Sequence, residues 1–454
     1  MLSQCHPRLT ILVSSTWSLN RPRTSHESSI AAPLQQSNRR GHTGSPRVAC
    51  VMHELPETRN GSETKSHTHL VVMANGLFGR SSNWDVIIAE LQQSGLDLSH
   101  MLLVASNANS LTQTYDGIDT CGDRLAVEIE HKAQEYPSLQ NISLLGHSMG
   151  GLLVRYAAGK LYDPTTKLIA GLKPAHFLTL ATPHMGCDGQ GPAQVPFIGW
   201  TGDMPLAGGF LQSLLQSAAK PFVSFFMKRT GQQFFMHDAG NGQTPLLVQM
   251  SEDDAEHGYF LSALASFVTR TCYANAGGDH LVGWANSSIR HPDELPVISP
   301  GTKLNGIVRA DPVEAALHPE HAAEFRRCSA SAMQPAVYET TGSGSSQAAP
   351  SHSGQAAAST ADSQQQAVDT VSSSANALQV LQKLQSLPWR RIDVSFQHSK
   401  MPFFAHNHIQ VTRKWLNWEG AVVCQHLAQQ FAVMEQNSYI QSLLSGNCHT
   451  ELNV

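Results

Sequence analysis

A serine bounded by two glycines follows an apolar run in the middle of this chain. Residues 142–145 predict a buried strand, and Gly146-His147-Ser148-Met149-Gly150 follows it as the pattern G-x-S-x-G. A helical pattern begins at once, with apolar positions from residue 152 to residue 157. The layout predicts a tight strand-to-helix turn that presents the Ser148 hydroxyl above a sheet. Gly146 and Gly150 stand where a Cβ would clash.

Strands and helices alternate on both sides of this turn. Further strands are predicted at residues 69–73, 101–105, 176–181, 271–276 and 392–396, and helices at residues 84–93, 123–136, 377–387 and 415–431. Such alternation is typical of α/β proteins, in which helices cover both faces of a parallel sheet. The fold class is therefore α/β, with a mostly parallel sheet between two layers of helices.

Composition divides the chain into four parts. Residues 1–66 are rich in Ser and Arg and poor in acidic residues, as in an organelle transit peptide, and predict a disordered N-terminal extension. An extension without targeting function, or a start codon placed upstream of Met52, explains the same composition. Residues 67–328 form the core, residues 329–376 are Ser/Ala/Gln/Gly/Thr-rich and predict a disordered linker, and residues 377–454 return to the same domain.

The alternating pattern breaks down between residues 187 and 245. This segment is rich in Gly, Phe and Leu. One interpretation is a helical insertion that packs on the core. The other is a lid or a wall of an acyl pocket, and the two are compatible.

Charge and composition exclude several classes of function. The net charge of −5 offers no electrostatic footprint for nucleic acid. No apolar run is long enough for a transmembrane helix. The 8 cysteines are scattered without a C-x-x-C pair, which favours a reducing, intracellular compartment, with the cytoplasm or a chloroplast or other organelle as alternatives. The histidine pairs at 67 and 69 and at 406 and 408 lack the spacing of a zinc site, so neither a metal nor another cofactor is expected.

A serine nucleophile needs a base, and the base needs an acid to orient it. In folds with this turn, the acid and then the histidine follow the serine along the chain, on loops after later strands. Asp279 follows a predicted strand through a short Gly turn and is the best candidate acid. Asp188 is a weaker alternative, and Asp253 and Asp254 follow no strand.

The candidate base lies beyond the last strand. His406 stands there, and His408 is a close competitor. His280, His291 and His318 come earlier and follow no suitable strand.

Two backbone amides are expected to receive the negative charge that acyl transfer creates. One belongs to Met149, at the start of the helix after the serine. The other is expected from the loop after the first strand, where Gly76 lets the backbone approach a substrate and Leu77 supplies the N–H.

Several ordered motifs resemble one family. They are Leu70-Val71-Val72-Met73-Ala74-Asn75-Gly76-Leu77, Thr114-Tyr115-Asp116-Gly117-Ile118-Asp119, the serine turn, Ala181-Thr182-Pro183-His184-Met185-Gly186, Tyr273-Ala274-Asn275 with Asp279, Ser287-Ser288-Ile289-Arg290, and Ala405-His406. Together they resemble the DUF676 serine esterases, lipase-like α/β-hydrolases, and most closely their plant branch.

The resemblance implies an α/β-hydrolase fold with a lid-like insertion and assigns Ser148 as nucleophile, Asp279 as acid and His406 as base. It also implies hydrolysis of carboxylic esters, with a lipid or other acyl ester as substrate and peripheral membrane contact. An acyltransferase with the same residues and a catalytically silent binding scaffold are the alternatives. The oligomeric state cannot be predicted from these patterns.

Overall fold

The computed structural model describes residues 66–187, 228–239, 244–298, 305–332 and 374–445. The chain divides into two units. The first, Met1–Glu57, lies outside the described residues, and everything below refers to the second, Thr58–Val454. The predicted extension up to residue 65 and the larger part of the predicted insertion therefore lie outside the described residues.

A seven-stranded sheet forms the centre of the described fold. The described strands are β1 (His69–Ala74), β2 (Met101–Ala105), β3 (Asn141–His147), β4 (Tyr162–Asp163), β5 (Leu168–Ile169), β6 (Lys173–Leu180), β7 (Asp253–Asp254), β8 (Gly258–Tyr259), β9 (Thr269–Gly277), β10 (Gly306–Ala310) and β11 (Arg390–Ser395). Of these, β4 pairs with β5 and β7 with β8 in two small separate sheets, and the other seven form the large sheet. The order across the large sheet is β10-β11-β9-β6-β3-β1-β2. All neighbours pair in parallel except β10 and β11, which are antiparallel.

Helices pack on both faces of this sheet. They are α1 (Asp85–Gln93), α2 (Ile118–Glu135), α3 (Met149–Leu161), α4 (Arg229–Phe234), α5 (Leu246–Gln249), α6 (Phe260–Ser266), α7 (Trp284–Ser287), α8 (Pro319–Ala332), α9 (374–385), α10 (Ala405–His408), α11 (Lys414–Asn417), α12 (Ala421–Gln436) and α13 (Ser438–Ser445). Among the described helices, none is both long and apolar enough to cross a bilayer.

The core has two layers because successive side chains of a strand point to opposite faces. Leu70 and Val72 of β1 pack with α2, α3, α6 and α9, whereas Val71 and Met73 pack with α1, α8, α12 and α13. Every residue of β1 is buried, as expected for a strand covered on both sides. The predicted α/β class, with a mostly parallel sheet and helices on both faces, is confirmed.

Several features of the fold differ from the sequence prediction. Helix α2 begins at Ile118, five residues before the predicted start, because the insertion supplies its cap. Thr230 Oγ1 accepts a hydrogen bond from Gly117 N at 2.9 Å, and Gln233 Oε1 accepts one from Ile118 N at 2.5 Å. The edge strand β10 and helix α8 were not predicted.

The predicted linker over residues 329–376 is helical at both ends. Residues 329–332 complete α8, and residues 374–376 open α9. The part between them lies outside the described residues. Of the insertion, α4 packs against the core, with Phe234 buried.

The parallel arrangement determines where a site can form. The loops after β1, β3, β9 and β11 leave the same edge of the sheet, since parallel strands share a direction. These four loops carry all the residues predicted to act together.

Candidate active site

Ser148 occupies a strained turn between β3 and α3. Its φ is 56° and its ψ is −129°, a conformation that non-glycine residues rarely adopt. Hydrogen bonds hold the turn from both sides: Ser148 N donates to Leu180 O at 2.8 Å, and Thr182 Oγ1 donates to Ser148 O at 2.9 Å. Such strain persists only where the surrounding structure enforces it, and it turns the hydroxyl out of the sheet.

Three predicted glycines allow this turn. A Cβ on Gly76 would lie 2.6 Å from Ser148 Cβ, so the loop after β1 packs directly against the serine. A Cβ on Gly146 would strike the backbone of Gly151, and one on Gly150 would strike the carbonyl oxygen of Ala74. None of these positions tolerates a side chain.

His406 lies beside the serine hydroxyl. It belongs to the short helix α10, which follows β11, and its Nε2 is 2.9 Å from Ser148 Oγ. A neutral imidazole that carries its proton on Nδ1 accepts a hydrogen bond at Nε2. In that tautomer, His406 can receive the hydroxyl proton of Ser148.

Asp279 holds the other ring nitrogen of His406. Its Oδ2 lies 2.9 Å from His406 Nδ1 and accepts a second hydrogen bond from Asn275 Nδ2 at 2.8 Å. Its Oδ1 accepts from the backbone N–H groups of Leu281 at 2.9 Å and Val282 at 3.0 Å. The carboxylate is thus fixed by four donors.

The surroundings of Asp279 favour its ionised form. Burial alone would raise the pKa of this carboxyl. The charge and hydrogen bond of His406 act in the opposite direction, as do the bonds from Val282 and Asn275, and the pKa lies below its ordinary value. Asp279 therefore stays ionised at neutral pH and favours the tautomer of His406 with its proton on Nδ1.

His408, the competitor left open by the sequence, points elsewhere. Its Nε2 donates to Met401 O at 2.9 Å, and its Nδ1 lies 3.4 Å from Asn417 Nδ2. Both ring nitrogens are engaged within the loop, so His408 orders the segment that carries His406.

The remaining alternatives are also placed away from Ser148. His291 and His318 contact Asp293 and the carbonyl of Ala265, respectively, and the ring of His280 lies 4.9 Å from that of Phe403. Asp253 accepts hydrogen bonds from Ser262, and Asp254 is 2.9 Å from His257 Nδ1. Asp188 lies outside the described residues.

The two predicted amide donors lie beside the place where Gly76, in the loop after β1, packs against Ser148. Leu77 directly follows Gly76, and Met149 directly follows Ser148 at the first position of α3. The N–H groups at the start of a helix have no partner within the helix, and the helix dipole favours negative charge there.

His147 is a site residue that the sequence reasoning missed. Its Nε2 donates to the carbonyl oxygen of His406 at 2.9 Å, and the two rings lie 5.1 Å apart. Burial, followed by the neighbouring His406, lowers the pKa of His147 to about 3. His147 therefore stays neutral and tethers the backbone of the histidine that faces Ser148. The variable position of the G-x-S-x-G pattern gave no signal of this role.

In the described ranges, no group of three His, Cys, Asp or Glu side chains is arranged to hold a metal ion. What the site offers is a hydroxyl, an imidazole and a carboxylate in hydrogen-bonded sequence. Side chains in this sequence can carry out nucleophilic attack assisted by a general base.

The sequence matches a family model described as Putative serine esterase (DUF676) over residues 64–289. Through this segment the chain belongs to the DUF676 family. The segment includes Ser148 and Asp279, whereas His406 lies beyond it. The expected family is confirmed, while the plant branch stays a prediction.

Curated relatives of this DUF676 chain carry lipase names. A putative lipase of Schizosaccharomyces pombe is 25% identical over 251 residues, which cover 53% of this chain and 29% of that protein. A putative lipase of Saccharomyces cerevisiae is 26% identical over 255 residues, covering 56% of this chain and 34% of that protein. This chain thus spans about a third of the length of these relatives.

Solved structures show weak similarity. The RedJ thioesterase of Streptomyces coelicolor matches with a TM-score of 0.25 and 14% identity, over 51% of this chain and 76% of that chain. A lipase-esterase related protein of Clostridium acetobutylicum matches with a TM-score of 0.23 and 15% identity, over 49% and 81%. The fold class follows from the strand order and the parallel pairing of the sheet.

Proposed function

We propose that this chain is a serine esterase of the lipase type, which hydrolyses carboxylic esters through an acyl-enzyme. The observation that carries the proposal is the continuous series of contacts from Asp279 through His406 to Ser148, each 2.9 Å long, ending on a hydroxyl at a strained turn. The lipase names of the yeast relatives support lipid acyl esters as the substrate class.

The first half of the proposed reaction forms the acyl-enzyme. Ser148 Oγ attacks the ester carbonyl carbon while its proton passes to His406 Nε2. The carbonyl oxygen becomes an anion that the N–H groups of Leu77 and Met149 stabilise. The tetrahedral intermediate collapses, and His406 returns the proton to the alcohol that leaves.

The second half releases the acid. Water attacks the acyl carbon and gives its proton to His406, and the ester bond to Ser148 breaks as Oγ takes the proton back. Asp279 keeps its charge throughout and stabilises the imidazolium that forms twice in the cycle.

A matched pair of serine variants tests the proposal. Ser148→Ala should lower the rate of hydrolysis of a medium-chain p-nitrophenyl ester by at least about a thousandfold, because the nucleophile is lost. Ser143→Ala changes a serine of β3, the strand before the turn, that also contacts a histidine, and its rate should stay within about threefold of wild type. Circular dichroism checks that both variants are folded. Retained activity in folded Ser148→Ala protein would overturn the proposal.

A further inference from the structure

The segment around His406 exposes four large apolar side chains. Trp415 is 75% exposed, Trp418 55%, Phe403 49% and Met401 41%. In contrast, Trp84 and Trp389 of the same chain are fully buried in the core. Exposed tryptophans this close together leave apolar area in water, and such patches mark contact surfaces.

These side chains lie in two stretches of the chain, residues 400–403 and 413–418, which meet where Lys400 contacts the Trp418 ring. Trp415 and Trp418 are three residues apart on consecutive helical turns and so point to the same side. Lys400 Nζ lies 5.5 Å from the centre of the Trp418 ring, and Met401 follows Lys400 directly. We call this surface, formed by Lys400, Met401, Phe403 and residues 413–418, the tryptophan face.

The tryptophan face adjoins the candidate active site. Met401 and Phe403 lie in the stretch immediately before α10, which carries His406. The ring of Phe403 lies 4.9 Å from that of His280, the residue after Asp279. A surface bound there would lie next to the loops that hold the acid and the base.

Positive charge surrounds the apolar side chains. Lys400, Arg413 and Lys414 are all exposed, and none of them forms an ion pair within the described ranges. The nearby acid Glu419 is half-buried and accepts a hydrogen bond from the backbone N–H of Lys400 at 3.0 Å. The face is therefore locally basic, although the whole chain has a net charge of −5.

We propose that the tryptophan face docks this protein on the surface of an anionic phospholipid bilayer. Tryptophan favours the membrane–water interface because its ring is apolar and its N–H is polar, and each Lys or Arg near the surface adds attraction to anionic headgroups. The inference rests on the proposed function in one respect: docking would bring lipid acyl esters to the loops around Ser148. The binding itself does not require catalysis.

The test uses the full chain with Ser148→Ala as background, so that vesicle lipids stay intact and the result does not depend on the proposed function. Binding is measured by co-sedimentation with phosphatidylcholine vesicles that contain or lack phosphatidylserine. The background protein should bind the anionic vesicles and bind neutral ones more weakly. Adding Trp415→Ser and Trp418→Ser should reduce binding to anionic vesicles by at least about tenfold.

Charge and control variants sharpen the test. Removing Lys400, Arg413 and Lys414 by alanine substitution should reduce binding by about fivefold per cation. The control replaces two exposed valines elsewhere, Val127→Ser and Val433→Ser, which are 64% and 46% exposed, and should bind like the background protein. Thermal unfolding checks that every variant is folded.

Three results would overturn the proposal. They are no binding to either kind of vesicle, equal binding by the background protein and its tryptophan variant, and an equal loss in the valine control. Because the arginines of residues 1–66 can also attract anionic vesicles, the decisive quantity is the difference in binding between variants of the same full-length chain.

Sedimentation velocity without lipid tests whether a second copy of this chain occupies the tryptophan face instead. Self-association that the tryptophan variant abolishes would assign the face to a second copy of this chain.

Discussion

Two groups of serine, histidine and carboxylate lie towards opposite ends of the strands in the same sheet: one at the carboxyl edge, where the parallel strands end, and one at the amino edge, where they begin. At the carboxyl edge, Asp279 and His406 lead to Ser148, with 2.9 Å between each pair of contacting atoms. At the amino edge, Glu435 Oε1 lies 3.2 Å from His69 Nδ1, and His69 Nε2 lies 2.8 Å from Ser143 Oγ. By these distances alone, the two sets of residues are similar.

The backbone around the two serines, Ser148 and Ser143, is different. Ser148 stands at a positive φ outside the strand, beside Gly76 and before a helix N-terminus. Ser143 lies inside β3, has no solvent exposure, and its Oγ already accepts a hydrogen bond from His176 N at 3.2 Å. Ser148 keeps a small exposed fraction of 8% in the described structure, whereas Ser143 has none. The two serines therefore differ in their backbone setting and exposure rather than in the contacts of their side chains.

The amino-edge cluster instead connects the sheet to α12. Glu435 Oε1 also lies 3.0 Å from His176 Nε2, and His176 Nδ1 lies 2.7 Å from Thr269 Oγ1. Strands β1, β6 and β9 are thereby linked to one helix through buried polar contacts. We expect changes there to affect the free energy of unfolding and to leave the chemistry intact.

The largest effect of a histidine substitution is expected at His406. His406→Ala removes the proposed base and should reduce ester hydrolysis by at least about a hundred-thousandfold. His408→Ala removes a histidine two residues away whose ring contacts Met401, Asn417 and Phe396 rather than Ser148, so the loss should be far smaller. Rates with a soluble p-nitrophenyl ester measure both, and equal losses would contradict the assignment of the base.

Substitutions of the two carboxylates, Asp279 and Glu435, should affect different properties of the protein. Asp279→Asn should lower kcat by about ten-thousandfold, because the amide favours the wrong tautomer of His406. Glu435→Gln should leave kcat within about threefold but reduce the free energy of unfolding by about 3 kcal/mol, since it removes a buried carboxylate charge that His69 and His176 contact. Steady-state kinetics and urea unfolding measure the two quantities. A large loss of kcat in folded Glu435→Gln protein would refute the comparison.

A smaller effect is expected at His147. His147→Phe keeps a ring but removes the donor to the carbonyl oxygen of His406, and kcat should fall by about tenfold, with KM nearly unchanged. His147→Gln restores an N–H donor and should recover part of the loss. Because His147 stays neutral, the pH profile of kcat should keep its shape in both variants. A displaced profile would show that His147 titrates in the reaction.

The smallest effect concerns acid stability. Burial acts to raise the pKa of the Glu435 carboxyl. The hydrogen bonds and charges of His176 and His69 act in the opposite direction and outweigh burial, so this pKa lies below its ordinary value. A depressed native pKa stabilises the fold above the unfolded pKa of about 4.3, and this contribution is lost as pH falls towards the native value.

The stability difference between wild type and Glu435→Gln should therefore shrink on acidification below pH ~4.3, by up to about 1.4 kcal/mol per pH unit. Urea unfolding of both proteins at neutral and acidic pH measures this difference. A constant difference across that range would show that the Glu435 pKa is not depressed.

Local patterns predicted much of the carboxyl edge. The turn around Ser148 depends on residues adjacent in sequence, so G-x-S-x-G, together with the strand pattern before it and the helix pattern after it, located the turn. Asp279 and His406 were found because parallel strands bring their following loops to one edge. The residues left His408 open as well, since two histidines two positions apart cannot be separated without knowing their contacts.

Contacts between distant residues escaped prediction. Ser143, His69 and Glu435 belong to no motif and come together only through strand pairing and the packing of α12. The start of α2 was misplaced for the same reason, since its cap comes from Thr230 and Gln233 more than a hundred residues away. His147 was missed because the contact of its side chain with the backbone of His406 spans 259 residues.

The most direct measurement is reaction of the wild-type chain with a fluorophosphonate, followed by peptide mapping. An activated serine attacks this phosphorus reagent, whereas an ordinary serine hydroxyl does not. We predict a single label on Ser148 and none on Ser143. A label on Ser143, or a folded chain that takes up no label on Ser148, would contradict the account.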